Sequence, residues 1–370
     1  MIEVRKARKG ELEKIIDTAN KSFIPVRYPG FDFKERMPKI YARNEDYSDI
    51  HFVVEEDNSF KSVAGNLIRK LKLNNKDYPY SIVGTVSTLP SESNKGYMAL
   101  LMKEIEKENI EKEVVFSMLT GKRQRYVTYG YERSGSRIVY TLNNHYFKFH
   151  NVEEEIEVRE HTKEDVPSLY EIYKNNQPII LRNEEEFIVD LRISNSTIYT
   201  LLKNNKIIGY FAIGDALKVI HELSLVDNDD ISRVSKAILK YLNKDSIDVL
   251  VNPLNIKLMK ALELITEEKI VIEEIMFKVY KMIPFIEMCL ELNKDIKNFI
   301  SCNEVYKVEN QIIKISVDGH SYKVEETKEE YLKEFTSREF VDYMLSITNY
   351  YHNESKIFPL ALDFNEGDMF

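Results

Sequence analysis

The chain is poor in cysteine. Its 370 residues contain two, Cys289 and Cys302, and no Cys-x-x-Cys motif. The seven histidines are scattered along the chain and form no cluster with the cysteines. Because a disulfide framework or a zinc site needs several such residues at characteristic spacings, we predict neither a disulfide nor a bound metal.

Long apolar runs are also lacking. The first six residues contain no apolar core of a signal peptide. A membrane helix needs ~20 consecutive apolar residues. The most apolar stretch, 270–290, is interrupted by five charged residues: Glu273, Glu274, Lys278, Lys281 and Glu287. We therefore predict a soluble, cytoplasmic protein with no membrane partner.

Basic residues are in the minority, with 52 Lys and Arg against 61 Asp and Glu, which gives a net charge of −9. This balance argues against nucleic acid as the main partner. It favours cationic small substrates by long-range attraction. At roughly 100–200 residues per domain, the length predicts two or three domains.

The most informative stretch covers residues 82–131. An apolar strand at 82–90 leads through a polar loop into a helix, and a second strand at 114–119 follows. The helix has its apolar side chains on one face: Met98, Leu101, Met102 and Ile105. Because the start of a helix presents free N–H groups and the positive end of its dipole, the loop at 91–96 predicts a phosphate site.

This arrangement resembles the acyl-CoA-binding core of the Gcn5-related N-acetyltransferases (GNAT). That family has an Arg/Gln-x-x-Gly-x-Gly/Ala loop, and here the loop reads Ser93-Asn94-Lys95-Gly96-Tyr97-Met98. Gly96 keeps the first glycine, whereas Ser93 and Met98 depart from the pattern. The resemblance implies acetyl-CoA as co-substrate, held by strand and loop residues: Val86, Ser87, Thr88, Asn94, Lys95, Gly96, Tyr97 and Met98.

The strand-and-helix pattern occurs twice. Ile2-Glu3-Val4-Arg5 recurs as Ile156-Glu157-Val158-Arg159, and Asn- or Asp-rich turns at 57–59, 74–77 and 204–206 predict hairpins in both halves. A strand at 137–142 is predicted to close the first copy. The second copy has no glycine at 231–236, where the phosphate loop would lie, so we interpret it as degenerate.

From residue 284 the pattern changes to a helix followed by a hairpin at 311–324. The whole order resembles the enhanced-intracellular-survival (Eis) family, whose third domain looks like a sterol carrier protein. The predicted fold class is therefore α+β, or mixed α/β. Two tandem GNAT-fold domains, at 1–150 and at 151–282 (degenerate), precede a small sterol-carrier-protein-like α+β domain at 283–370. The resemblance leaves open a homo-oligomer.

Acetyl transfer from a thioester to an amine needs a group that holds the carbonyl oxygen, an acid and a base. Backbone N–H groups of an interrupted strand can hold the oxygen, with Val86 preferred over Thr88; alternatively, this is only a buried strand. The resemblance makes Tyr126 the acid. A phenol pKa of ~10 against ~8.5 for a thiol permits protonation of the departing sulfur. With 23 tyrosines in the chain, a packing role is the alternative.

The resemblance also makes the main-chain carboxylate of the last residue, Phe370, the candidate base. Its unperturbed pKa of ~3.3–3.7 requires partial burial, or a mediating water, for it to accept a proton near neutral pH. The alternative is a disordered tail. For the acceptor, aromatic residues and one acid suit an aminated ligand: Phe23, Tyr28 and Asp32. The alternative is an ordinary core cluster.

The sequence thus predicts an acetyl-CoA-dependent N-acetyltransferase that acts by direct transfer on a primary amine. An aminoglycoside-like compound, a polyamine and a lysine side chain all remain open as acceptors. Two other functions also remain open. One is a non-catalytic acyl-CoA-binding or regulatory module, and the other is a carrier of hydrophobic ligands through the C-terminal domain.

Overall fold

The structure is a computed structural model that describes residues 2–24, 30–43, 45–193, 196–214, 218–348 and 354–370. Its strands are β1 (Ile2–Lys6), β2 (His51–Glu56), β3 (Ser59–Leu73), β4 (Lys76–Thr88), β5 (Phe116–Thr120), β6 (Glu132–Arg133), β7 (Arg137–Asn143), β8 (Ile156–Glu160), β9 (Thr197–Lys203), β10 (Lys206–Gly214), β11 (Val219–Leu225), β12 (Ser246–Val251), β13 (Lys269–Ile272), β14 (Ile275–Val279), β15 (Phe299–Val308), β16 (Gln311–Gly319), β17 (Ser321–Glu326) and β18 (Lys333–Phe335).

The α-helices among the described residues are α1 (Leu12–Phe23), α2 (Phe33–Arg36), α3 (Pro38–Tyr41), α4 (Tyr97–Glu111), α5 (Arg123–Tyr126), α6 (His145–Phe149), α7 (Val166–Asn176), α8 (Glu184–Leu191), α9 (Ile231–Tyr241), α10 (Ile256–Glu263), α11 (Met282–Asn293) and α12 (Ser337–Leu345). Within the described part of the chain, no helix is long and apolar enough to cross a bilayer.

The chain divides into two compact units. The first is built from Met1–Gly135, Glu274–Leu360 and Phe370, and the second from Ser136–Glu273 and Ala361–Met369. The first unit contains a seven-stranded sheet and a four-stranded sheet, whereas the second contains one seven-stranded sheet. Each unit therefore includes residues that are far apart in the sequence.

The large sheet of the first unit has the order β1-β2-β3-β4-β5-β14-β6. Strands β1 to β4 are antiparallel neighbours, and their hairpin turns use residues with positive φ: Asp57, Asn58, Asn74 and Asn75. Two successive positive φ values match the twist that a tight hairpin requires. Strand β5 then runs parallel to β4, and α4 connects the two. Helix α4 buries its apolar face through Tyr97, Leu101, Met102 and Ile105.

The remaining sheet of the first unit has the order β17-β16-β15-β18. The predicted hairpin at 311–324 is present as β16 and β17, which pair from Ile313↔Glu326 to Asp318↔Ser321. Aromatic side chains fill the space beside this sheet, with the ring centroids of Tyr306 and Phe340 5.5 Å apart and those of Tyr306 and Phe358 6.0 Å apart. Whether this part of the chain is sterol-carrier-like stays a prediction.

The sheet of the second unit has the order β13-β7-β12-β11-β10-β9-β8. Read from β8, it repeats the pairing scheme of the first unit: antiparallel strands β8 to β11, a parallel partner β12, and an antiparallel strand beyond it. Its β9–β10 turn again uses residues with positive φ, Asn204 and Asn205. The predicted class, a mixed α+β fold with two tandem GNAT-like sheets, is confirmed.

The assignment of the strand at 137–142 to the first copy is wrong. As β7 it pairs with β12 and β13 in the second unit, so that Tyr140 lies opposite both Val249 and Lys269. The place beside β5 is taken by β14, with Phe277 opposite Met118. An apolar strand pattern predicts burial but not which sheet is joined, and that choice depends on residues far away in the sequence. The three-domain division at 150 and 282 stays a prediction.

Candidate active site

The parallel pair β4 and β5 opens part of the way along its length. The register runs through Tyr80↔Phe116, Ser81↔Ser117 and Ile82↔Met118 and ends there, although β4 continues to Thr88. Strand β5 keeps its other neighbour, β14, as far as Thr120. Among the residues that the structure describes, none pairs with the edge of β4 that faces β5 from Val83 onward, so its backbone groups can pair with an extended ligand.

A buried polar network lies where the two strands still pair. The hydroxyl of Ser81 donates to Ser117 at 2.7 Å, and the hydroxyls of Ser117 and Tyr131 are 2.8 Å apart. Asn109 of α4 donates to Ser81 at 3.0 Å. All four side chains are almost completely buried. The network thus lies at the last paired positions of the two strands, and Tyr131 is hydrogen-bonded within it.

Strand β4 carries a bulge inside this open stretch. The β3–β4 register shifts between Val63↔Ser87 and Gly65↔Gly84, which leaves two residues, Thr85 and Val86, opposite one. Thr85 has φ +52°, a left-handed value that is uncommon for a β-branched residue. Val86 has no register partner on either neighbouring strand. A bulge of this kind takes one backbone N–H out of the sheet ladder and redirects it.

Ser87 and Thr88, the other two strand residues of the predicted site, form hydrogen bonds around the bulge. The hydroxyl of Ser87 donates to the carbonyl of Thr85 at 2.9 Å. The hydroxyls of Thr88 and Ser62 are 2.8 Å apart, and Ser62 also donates to the carbonyl of Ser87 at 2.7 Å. Because the side chains of Ser87 and Thr88 are hydrogen-bonded within the protein, a ligand would bind to the backbone groups of these residues.

The predicted phosphate loop leads directly into α4. Asn94 has φ +66°, and Gly96, the residue before the first helical turn, has φ +77°. The first turn of α4 contains no acidic residue, so its positive end is uncompensated. Lys95 is exposed and donates to Glu92 at 2.6 Å; this hydrogen bond raises the pKa of Lys95.

The side chains of Tyr97 and Met98 take part in apolar packing. Tyr97 is buried in an apolar cluster with Val83, and Met98 packs against the same cluster. Tyr126 is also a member of it, and Val86 lies against it. The structure thus brings together four of the predicted site residues, from β4, α4 and α5.

Tyr126 ends the single turn α5 and is 9 % exposed. Its ring lies over Gly121, where an added Cβ would come 3.1 Å from Cε2 of the tyrosine. Burial raises the pKa of Tyr126 to about 12, and the nearby charge of Arg125 opposes the rise. The phenol is therefore protonated at neutral pH, as an acid requires. The neighbouring Arg123 is held by Glu132 through two hydrogen bonds of 2.5 and 2.7 Å.

The ring of Phe370 lies on two glycines of the first unit. A Cβ added to Gly65 would come 2.6 Å from Cε2 of Phe370, and one added to Gly84 would come 2.5 Å from its Cβ. The imidazole of His51 meets the same ring edge to face, with centroids 6.0 Å apart. Because ordinary carbon contacts are ~3.5–4.0 Å, this position admits the ring only beside glycine.

The residues before Phe370 are held by buried ion pairs in the second unit. Asp368 accepts from Nε of Arg182 at 2.7 Å, and Glu222 accepts from the same guanidinium at 3.0 and 2.9 Å. Burial opposes the charge on Arg182, but the two carboxylates outweigh it and raise the arginine's pKa. Asp363 accepts from Arg137 at 3.0 Å in the same way. The tail is thus ordered by specific contacts.

One of the predicted acceptor residues, Phe23, lies in an aromatic cluster. The ring centroid of Phe23 is 5.0 Å from that of Phe33, which is 5.8 Å from Tyr41. Asp32 caps α2 by accepting from the backbone N–H of Lys34 at 3.0 Å. Tyr28 lies outside the described residues. The rings continue from Tyr41 to His51 (5.6 Å) and on to the C-terminal phenylalanine.

Four residues that meet the bulge or the C-terminal ring were not predicted from the sequence: Tyr41, His51, Gly65 and Gly84. The two glycines carried a usable indication, because a single glycine inside a strand often marks a bulge or a close approach. Tyr41 and His51 carried none, since a buried tyrosine or histidine is indistinguishable from others by sequence pattern alone.

Comparison with known proteins agrees with this description. Residues 3–134 match the family described as an acetyltransferase (GNAT) domain. No curated protein matches the chain. This part of the first unit is therefore similar to GNAT domains.

Solved structures share the fold over nearly the whole chain. A probable N-acyltransferase of unknown function from Enterococcus faecalis V583 is 15 % identical with a TM-score of 0.65, covering 95 % of this chain and 92 % of its own. A GCN5-related N-acetyltransferase from Anabaena variabilis is 13 % identical (TM-score 0.66; 93 % and 90 % covered). Eis1 from Mycobacterium abscessus is 12 % identical (TM-score 0.64; 100 % of both chains). At these identities the likeness shows the fold alone.

Proposed function

We propose that this chain is an acetyl-CoA-dependent N-acetyltransferase that acetylates a primary amine by direct transfer. The observation that carries the proposal is the open, bulged edge of β4 beside the start of α4. Coenzyme A has an extended arm with amide groups and a pyrophosphate. The arm suits an unpaired strand edge, and the pyrophosphate suits a helix start without acidic residues.

The phosphates would be held mainly by backbone N–H groups of the loop and the first turn: Asn94, Lys95, Gly96, Tyr97 and Met98. The side chain of Lys95 is exposed, and its bond to Glu92 can exchange for a phosphate oxygen because a surface ion pair contributes little. Arg123 is unsuited to this task while Glu132 holds it.

For the transfer itself, the Val86 N–H would hold the carbonyl oxygen of the acetyl donor, with Ser87 and Thr88 supporting the bulge. The amine nitrogen bonds to the acetyl carbon, and the carbon–sulfur bond breaks. Tyr126 would give its proton to the departing sulfur. The terminal carboxylate of Phe370 would take the proton that the amine loses.

The proposed class of acceptor is based on the net charge of the chain and on the side chains around Phe23. A net charge of −9 favours a cationic amine, and the rings around Phe23 suit cation–π contact. Asp32 would add a carboxylate, although part of its hydrogen-bonding capacity serves the start of α2. Polyamines, aminoglycoside-like compounds and lysine side chains all meet these requirements. The cytoplasmic location and the homo-oligomer stay predictions.

Two measurements test the proposal. Isothermal titration should detect acetyl-CoA binding, and release of free thiol should depend on an added amine such as spermidine, kanamycin or a lysine peptide. We expect Tyr126→Phe to lower turnover by about 10²–10⁴, the share that a positioned acid supplies, with little change in acetyl-CoA affinity. No binding at millimolar acetyl-CoA would falsify the proposal, and wild-type turnover in Tyr126→Phe would assign the acid to another group.

A non-catalytic acyl-CoA-binding or regulatory module is the second candidate. It is motivated by Ser93 and Met98, which depart from the loop pattern of the resembled acetyltransferases. Acetyl-CoA binding without turnover on any amine would support this alternative. The carrier alternative requires an apolar tunnel beside β15–β18, where the rings of Tyr306, Phe340 and Phe358 pack on one another.

A further inference from the structure

The bulge in β4 depends on an unusual backbone conformation. Thr85 stands at φ +52°, a region that glycine enters freely and a β-branched residue rarely does. Such a conformation persists only where the surroundings hold it. The next residue is Val86, the proposed oxyanion donor, so whatever holds Thr85 also sets the direction of that N–H.

The side chain of Thr85 is held by a buried tyrosine. The hydroxyls of Tyr41 and Thr85 are 2.5 Å apart, and the Tyr41 hydroxyl is 2.9 Å from Nε2 of His51. Nδ1 of His51 is 3.0 Å from the carbonyl of Tyr47. Tyr41 is 3 % exposed, His51 0 % and Thr85 6 %. Water therefore does not compete for these hydrogen bonds, and each is stronger than at a surface.

The protonation state of the cluster suits a permanent clamp. Burial lowers the pKa of His51 to about 4, so the imidazole is neutral at neutral pH. Burial likewise raises the pKa of Tyr41 far above its usual value, so the phenol keeps its proton. Neither group therefore changes charge near neutral pH.

We propose that Tyr41, oriented by His51, is a positioning residue that clamps Thr85 in the left-handed conformation and so aims the Val86 N–H at the acyl carbonyl. The inference rests on the proposed acetyl transfer, but it assigns a task to residues that the transfer itself does not use. Tyr41 acts through Thr85 and does not touch the reacting atoms.

The test exploits the freedom of glycine. Tyr41→Phe removes only the hydroxyl and keeps the ring among its aromatic neighbours. We expect kcat to fall by about tenfold, less than the 10²–10³ that loss of an oxyanion donor costs, and the Kd for free coenzyme A to stay within about twofold. In a Thr85→Gly background the same Tyr41→Phe change should alter kcat by less than about twofold, because glycine needs no clamp.

Thr85→Val removes the other hydroxyl of the Tyr41–Thr85 hydrogen bond. This variant replaces Tyr41→Phe in the test if Tyr41→Phe does not fold. It should reproduce the Tyr41→Phe effect. Equal losses of kcat from Tyr41→Phe in the threonine and glycine backgrounds would overturn the clamp, because a general structural role would act in both.

A readout without activity separates this inference from the proposed function. In protein labelled with 15N only at valine, the Val86 amide resonance can be identified by its absence from Val86→Ala. It should shift on Tyr41→Phe in the threonine background and not in the Thr85→Gly background. Failure of the wild type to bind acetyl-CoA refutes the proposed function alone. An unmoved Val86 amide in Tyr41→Phe refutes the clamp alone.

Discussion

The contact between Phe370 and Gly84 allows a sharp test of whether the C-terminal residue belongs to the active site. A methyl group at Gly84 would lie 2.5 Å from the Phe370 Cβ and would overlap the ring. Gly84 does not have positive φ, so Gly84→Ala changes the space beside the ring without straining the backbone. The substitution therefore displaces the C-terminal residue selectively.

The size of the effect follows from that overlap. Ordinary carbon contacts are ~3.5–4.0 Å, so Phe370 must move by about 1 Å or leave its place. Overpacking of this kind costs about 1–3 kcal/mol of folding free energy. A misplacement of ~1 Å at a reacting group costs about 10²-fold in rate. We expect turnover of Gly84→Ala to fall by roughly 10², with the Kd for acetyl-CoA changing far less.

A double-mutant cycle separates the ring from other consequences of the methyl group. Phe370→Ala keeps the terminal carboxylate and frees the space, so adding Gly84→Ala to it should change turnover by less than about twofold. Gly65→Ala, which meets the same ring, should behave like Gly84→Ala. Undiminished turnover in Gly84→Ala, or losses that multiply in the double mutant, would refute a role for the seated ring.

Three further predictions concern the tail and its surroundings. Extending the chain beyond Phe370 by a few residues should cut turnover while leaving acetyl-CoA binding intact, and a fully active C-terminally tagged protein would remove the carboxylate as base. Asp368→Asn weakens the buried bond to Arg182, so carboxypeptidase should release Phe370 faster than in Asp295→Asn, a control whose side chain is 80 % exposed. The pKa of His51 is lowered to about 4 from an ordinary 6.5, so the unfolded state binds more protons between these values. The free energy of unfolding should therefore fall by about 2 kcal/mol from pH 7 to pH 5 through this residue, and urea titrations of His51→Gln should lack that share.

Local turn chemistry explains why much of the fold was predictable. The pairs Asp57-Asn58, Asn74-Asn75 and Asn204-Asn205 all adopt positive φ in tight hairpins, as their side chains favour. The strand at 137–142 was misassigned because its register with β12 joins residues about 100 positions apart, for example Asn143 and Ser246. Nothing in a short apolar segment encodes such a partner.

The candidate site, too, was predictable only where its pattern is local in the sequence. The loop from Ser93 to Met98 was recognisable because a glycine before an amphipathic helix is a local pattern. The clamp on Thr85 was not, since Tyr41, His51 and Thr85 come from three separate segments and meet only in the folded sheet. Positive φ at a threonine could not be predicted from the sequence either, because β-branched residues rarely adopt that conformation.

The second sheet has a counterpart of the β4 bulge. Strand β11 occupies the position of β4, and it too is bulged, since Ala212↔Glu222 and Ile213↔Ile220 leave His221 without a partner. Helix α9 follows a short 3-10 turn, Asn228–Asp230, in which Asp230 is paired with Lys203 and Arg233. Beside the bulge, Glu222 holds Arg182, which holds Asp368 of the tail. Through Glu222, strand β11 therefore contacts the tail segment 361–369 of the second unit. No glycine stands between β11 and α9, and a carboxylate of the bulged strand binds the chain's own tail, so the pattern expected of a phosphate loop is missing from this part of the second unit.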